Sequence, residues 1–174
     1  MKARVGGTQQ RERIVAWLNL QQTSRVLQGL LEERLGAEVG LSWLEFELLW
    51  RLHGSGGRPF QMSEIAAQLL ASPSGITRIA DRLERRGLID RDIPRDNRRV
   101  VLVTLTERGR TVLAKADLTF VGALRESFSG HLSEDEVQWL RRITRKLLEH
   151  NGAWAADRCD PGFEGQSGTN CSAV

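Results

Sequence analysis

The chain has 174 residues, 40% of them hydrophobic and 27% charged, with a net charge of +3; this is the size and balance of one globular domain and argues against a disordered or membrane-embedded class. No apolar run approaches the ~20 residues that a bilayer span needs, and the opening MKARVGGTQQRERIV has charge but no apolar stretch of the signal-peptide kind, so a cytoplasmic protein is expected. The charge is unevenly placed: residues 72–99 hold eight arginines and no lysine against five acids, an excess equal to that of the whole chain, which is the electrostatic footprint of a nucleic-acid face.

From Gln9 to Leu35, Ile14, Trp17, Leu18, Leu27, Leu30, Leu31 and Leu35 recur at helical spacing across a polar interruption at Gln21 to Arg25, predicting a long first helix. Ser42 and Glu45 form a capping box, and the WLEFELLWRL that follows is apolar on nearly every side, as in a helix buried between neighbours. The glycines and proline of GSGGRP end it. This is no phosphate loop, because no GK[ST] follows and no strand precedes it. A short helix then begins near Ser63, with Ile65, Ala66, Leu69 and Leu70 as its buried face.

After the turn LLAS, Ser72 is placed as an N-cap and Pro73 at the first helical position, where a missing N–H costs nothing. In the helix that follows, Ile76, Ile79, Ala80 and Leu83 form one stripe and Arg78, Arg82 and Arg85 another. Two short helices across a tight turn, the second basic, read as a helix-turn-helix. Past Gly87, LIDRDI, the polar tip PRDNRR and VVLVTLT predict a β-hairpin. A hairpin directly after a recognition helix is a wing, and its tip carries Arg95, Arg98 and Arg99.

Thr106 opens another long helix with Leu113, Ala116, Phe120, Leu124 and Phe128 on one face. A second capping box, Ser133 and Glu136, starts a last helix lined by Val137, Leu140, Ile143 and Leu147. From Asn151 the chain is rich in Gly, Asp, Ser and Asn, lacks a period, and is expected to be disordered. Its two cysteines, Cys159 and Cys171, have no histidine beside them for zinc and are disfavoured as a cytosolic disulfide, so they are incidental.

Groove geometry assigns the roles. The N-terminal part of a recognition helix enters the major groove, which places Ser72, Ser74, Thr77 and Arg78 against base edges or phosphates, and Arg82 and Arg85 against the flanking backbone. Arginine suits both tasks because its planar fork is bidentate to guanine and to phosphate. Asp81 restrains neighbouring arginines, while Arg85 and Arg86 read equally well as solvated surface.

The run from GITRIADRLERRGLIDR through NRRVVLVTLTERGR resembles the recognition helix, the wing and the Leu-Thr-Glu-x-Gly helix start of the MarR family of transcriptional regulators, and the resemblance extends over roughly residues 10–150. The family's wing carries Asp-x-Arg a fixed distance before Leu-Thr; here Asn97 stands at the aspartate position, Arg99 is the arginine, and Asp96 lies one place early. Either Asp96 holds Arg98, or Asn97 fixes Arg99 through a neutral hydrogen bond; Arg99 is taken as the minor-groove arginine, with Arg98 on phosphate. Family members are dimers whose first, fifth and sixth helices interlock. In keeping with this, Leu113, Phe120, Leu124 and Phe128 with Val137, Leu140 and Leu147 exceed what one small domain buries.

The expected fold is therefore mainly α with a small β-hairpin wing, a winged helix-turn-helix with long N- and C-terminal dimerisation helices. Residues 1–40 form the N-terminal dimerisation and ligand helix, 41–106 the DNA-binding lobe, 107–150 the C-terminal dimerisation helices and 151–174 the tail. A twofold dimer implies a pseudo-palindromic operator with half-sites about one turn, ~10 base pairs, apart.

The resemblance also implies an effector pocket between the dimerisation helices and the DNA-binding lobe. The urate-responsive subgroup is similar in having a tryptophan on the first helix, an acid in the second, an arginine in the recognition helix and another closing the first wing strand; Trp17, Glu47, Arg78 and Arg91 hold those positions, with glutamate for the usual aspartate. Trp43 and Trp50 read as core aromatics. Urate or another aromatic anion stacked on Trp17 and paired with an arginine would compete with that arginine's DNA role.

The expected function is a homodimeric, operator-binding transcriptional repressor released by such a ligand, without cofactor, metal or membrane partner. No P-loop, GxGxxG, HExxH or GxSxG occurs and His53, His131 and His150 are scattered, which disfavours an enzyme. The helical body offers no cysteine for thiol sensing and no His/Cys cluster for metal sensing. Two alternatives stand beside it, a winged helix used as a protein-interaction module and an activator of the same fold.

Overall fold

The computed structural model of the protein describes residues 3–95, 97–98 and 100–155, with side chains from residue 7 on. Helix α1 (Ala3–Val39) runs without a break through Gln21–Arg25, which are polar but contain no glycine or proline to stop it. It ends at Gly40, where φ is +65° and the N–H reaches the Gly36 carbonyl at 3.1 Å. Ser42 caps α2 (Trp43–Gly54): its hydroxyl accepts from the Glu45 N–H at 3.2 Å and the Glu45 carboxylate accepts from the Ser42 N–H at 2.8 Å. Helix α2 buries Phe46, Leu48, Leu49 and Leu52 and forms the centre of the core. Trp43 and Trp50 pack against that core, as expected of them.

Strand β1 (Phe60–Gln61) leads into α3 (Met62–Gln68), and Ser72 caps α4 (Pro73–Arg85) with Pro73 in its first turn. Strands β2 (Ile89–Asp92) and β3 (Leu102–Leu105) form the predicted hairpin. Two-residue β1 joins it to make a three-stranded antiparallel sheet in the order β1-β3-β2, with Phe60 opposite Val103. Helix α5 (Glu107–Ser127) is capped by Thr106, a short 3-10 turn (Ser129–His131) follows, and α6 (Glu134–His150) begins at the Ser133–Glu136 capping box. Helix α1 lies along α5, tied by Arg34 to Glu126 and by the Thr119 hydroxyl to Glu38 at 2.8 Å. Among the described residues no helix is long and apolar enough to cross a membrane.

Ile76, Ile79, Ala80 and Leu83 are buried as the stripe on α4 requires. Two expectations need correction. Leu70 is not on the buried face of α3: it is 75% exposed at φ +50°, because the helix ends at Gln68 and the chain turns left-handed so that the Ala71 N–H can close on the Ala66 carbonyl at 3.1 Å. Leu113 and Phe120 do not await a partner either. Leu113 is fully buried in the chain's own core, and Phe120 packs its ring 5.1 Å from Phe46 and 5.8 Å from Trp43. The outward apolar residues of α5 are instead Leu118 and Val121. The expected disorder of the tail, Cys159 and Cys171, and the wing residues Asp96 and Arg99 lie outside the described residues.

Gly109 shows why the helix start after β3 requires glycine. A Cβ there would sit 2.1 Å from the Leu88 carbonyl oxygen and 2.7 Å from Leu105 Cδ1, so backbone would have to move. Gly109→Ala is expected to lower unfolding stability by ~2–3 kcal/mol, the scale of overpacking against backbone. An unchanged urea midpoint would show that α5 can lift off the sheet freely.

Candidate nucleic-acid interface

At 100° per residue, the outward stripe of α4 has Ser74, Arg78 and Arg85 at its centre, Arg82 and Arg86 on one flank, and Asp81 and Glu84 on the other. The two flanks are held by opposite charges. On the first, Arg82 donates from Nε to Glu45 Oε1 at 3.0 Å, while Arg86 donates to the Gly40 carbonyl at 2.8 Å and lies 4.0 Å from Glu45 Oε2. On the second, Arg91 of β2 reaches Asp81 at 2.5 Å and Glu84 at 3.3 Å, with its side chain only 17% exposed. The recognition helix is thus guyed to α2 on one side and to the wing on the other.

Between these ties the middle of the stripe is open. Arg78 is exposed, and Arg85 spends its Nε within the helix on the Asp81 carbonyl at 3.2 Å. The Ser72 hydroxyl caps α4 through the Gly75 N–H at 3.1 Å, Ser74 is exposed beside it, and the Thr77 hydroxyl donates to the Pro73 carbonyl at 2.9 Å. Arg95 and Arg98 are exposed at the wing, where with Ile93 and Pro94 they line an open concavity of about 610 Å³. Arg99, the expected minor-groove arginine, is outside the described residues.

The residues expected to form the effector pocket are dispersed. Trp17 is 59% exposed on α1, and Arg78 faces outward on α4. Arg91 is committed to Asp81 and Glu84. Glu47 is half-buried on α2; burial pushes its carboxyl up, opposed by the Arg51 charge and a hydrogen bond from Trp43. No hydrogen bond or ion pair joins these four to one another in the described residues. Among the described residues no group of three or more His, Cys, Asp or Glu is placed to hold a metal ion.

Glu45 was legible only as a cap. It is the one buried charged residue among those described, 5% exposed. Burial alone would push its carboxyl up. The Ser42 N–H, the Arg82 N–H, the Ser42 hydroxyl and the Arg82 charge together outweigh that and hold it below the ordinary glutamate value. The available signal was an acid in a helix that is otherwise apolar on most sides, 37 residues from the arginine it meets.

The MarR family profile matches residues 41–101. The chain is 32% identical over 124 residues to the HTH-type transcriptional regulator PrsX of Escherichia coli, a match covering 71% of this chain and 74% of that protein. It is 36% identical over 109 residues to the transcriptional repressor MprA of Escherichia coli strain K12, covering 63% and 61%. Among solved structures it is similar to Sco3205, a MarR family transcriptional regulator from Streptomyces coelicolor in complex with DNA, at a TM-score of 0.76 and 24% identity over 80% of this chain and 88% of that one. It is also similar to AbsC, a MarR family regulator from the same organism, at 0.73 and 26% over 80% and 94%.

Because the folded-state value of Glu45 is lowered, its carboxylate contributes stability that is full at neutral pH and lost as the pH falls through that lowered value. The urea midpoint of the wild-type protein is expected to fall more steeply below about pH 5 than that of Glu45→Gln. Parallel acid limbs would show that Glu45 is not held ionised.

Proposed function

Since the chain belongs to the MarR family of DNA-binding transcriptional regulators, we propose that it is a homodimeric repressor that reads a pseudo-palindromic duplex operator with α4 in the major groove and the wing beside it. The observation that carries this reading is the outward stripe of α4, where Arg78 and Arg85 stand clear between two ion-paired flanks. Ser72, Ser74, Thr77 and Arg78 meet base edges or nearby phosphates, Arg82 and Arg85 the backbone, and Arg95, Arg98 and Arg99 the wing's groove and its phosphates. Residues 41–106 act as the DNA-binding lobe.

Dimerisation through α1, α5 and α6 is supported by the apolar side chains these helices leave outward, among them Ile14, Leu18, Leu118, Val121, Trp139 and Ile143. Exposed apolar side chains in this number suit an interface between copies of the chain, and a twofold arrangement would double the DNA contact at half-sites ~10 base pairs apart. The repressor sense draws on relatives bearing that name, MprA of Escherichia coli and MdtR of Bacillus subtilis. Operator position decides between repression and activation. Membership of a DNA-binding family sets the protein-interaction alternative aside.

The same reading includes release by a small aromatic anion, urate or a relative, held by Trp17 with Glu47. Its support is the accessible Trp17 indole and the half-buried acid on α2. Arg91 joins only by leaving Asp81 and Glu84, and Arg78 only by leaving DNA, so binding the anion and binding the operator exclude each other.

The test is a titration of the protein against the DNA upstream of its own gene at two salt concentrations, with and without urate. Binding is expected to weaken steeply with salt and to saturate at two chains per duplex. Arg78→Ala and Arg99→Ala should each weaken binding by ~1–3 kcal/mol; wild-type affinity in both would overturn the assigned DNA face. Trp17→Ala should abolish the response to urate while sparing operator binding, and an unaltered response in that protein would move the pocket elsewhere.

A further inference from the structure

Capping does not explain the charge of Glu45. Its Oε2 accepts the Ser42 N–H at 2.8 Å, and a glutamine at that position caps as well. A buried carboxylate is costly unless another partner uses it, and its second oxygen, Oε1, is used by Arg82 of the recognition helix at 3.0 Å. That contact engages the guanidinium through Nε, its inner edge. The side chain of Arg82 remains 47% exposed, one helical turn from Arg78 on the same side of α4. Arg86 reinforces the joint by bonding the Gly40 carbonyl where α1 hands over to α2.

We propose that Glu45 is a positioning residue for DNA binding: by holding Arg82 edge-on through Nε, it presents the two outer NH₂ groups to a backbone phosphate already oriented. This deepens, and rests on, the reading of α4 as the DNA-contacting helix. An arginine can serve both ways because its donors lie in a rigid planar fork, whereas a lysine ammonium at Arg82 would have to choose between carboxylate and phosphate. A side chain ordered before binding loses less rotamer freedom on binding. The Glu45 carboxyl is held below the ordinary glutamate value by Ser42 and Arg82, in keeping with its staying charged throughout.

The experiment is a double-mutant cycle of wild type, E45Q, R82Q and the double variant, each shown by thermal melting to be folded at the assay temperature. The probes are the duplex that the wild type enriches from a randomised pool and a scrambled duplex of the same length. E45Q raises the net charge by one next to the DNA face, so electrostatics alone makes it bind more tightly. The positioning role makes it bind the enriched duplex roughly tenfold more weakly. R82Q should weaken binding comparably and lower the salt slope by about one, and adding E45Q to R82Q should cost nothing more.

Arg82→Lys keeps the charge and leaves the Glu45 cap intact, so it folds independently of that joint; it should lose most of the affinity that R82Q loses. Tighter or unchanged binding by E45Q, full additivity in the double variant, or wild-type affinity in R82K would each overturn the inference. A wild type that enriches no duplex would overturn the DNA-binding reading, and this inference with it.

Discussion

One buried carboxylate ties the recognition helix to the junction of α1 and α2. Glu45 sits where α1 ends, α2 begins and α4 passes, and its two oxygens serve the α2 cap and Arg82 at once. Without these partners the desolvation of the carboxylate would drive it to its neutral form; with them it is held ionised. The energetic consequence is specificity more than net stability, since a buried ion pair often does no better than well-packed apolar side chains of the same volume. What the pair supplies is direction. To the buried stripe of Ile76, Ile79, Ala80 and Leu83 the pair adds a directional contact, a donor and an acceptor at 3.0 Å.

The opposite flank follows the same logic with the signs reversed. Asp81 and Glu84 project from α4 toward the wing and are met by Arg91. Left unpaired, two carboxylates beside the arginine stripe would oppose its positive potential. Paired with a mostly buried arginine, they fasten β2 to the helix, and half of their charge is offset. The wing and the recognition helix are thereby joined, and the sheet register carries the wing's base: Arg91 pairs with Val103, which in turn pairs with Phe60 of β1, just before α3.

Much of this was legible in the sequence because its signals are local. The Ser42, Ser72, Thr106 and Ser133 caps each bond an N–H three residues on, and the stripe on α4 needs only the helical period, so composition and spacing suffice for both. What was missed is non-local. Strand β1 has two residues and shows no alternation until Phe60 meets Val103, 43 residues later. Leu70 fits the apolar period of α3 but falls beyond its last turn, where a left-handed residue swings outward. The period of α5 says that the face holding Leu113 and Phe120 is apolar, not what covers it; Leu113 belongs to the chain's own core, and Phe120 meets the rings of Trp43 and Phe46 on α2. Only what is left over, Leu118 and Val121 with the exposed residues of α1 and α6, bears on dimerisation.

The same distinction revises the meaning of the arginine cluster. Eight arginines against five acids over residues 72–99 look like a uniform basic surface when counted along the chain. In space, Arg91 is consumed by Asp81 and Glu84, Arg86 by the Gly40 carbonyl, and Arg82 is half consumed by Glu45. Arg78, Arg85, Arg95 and Arg98 stand exposed among the described residues. The cluster therefore combines two jobs that both favour arginine over lysine. Some members are struts, where a rigid fork meets acceptors on neighbouring elements, and others stand exposed, where the same fork is suited to guanine or phosphate. A lysine-rich version of this segment would keep the charge and lose the struts, because an ammonium has no planar fork with which to hold acceptors in a fixed direction.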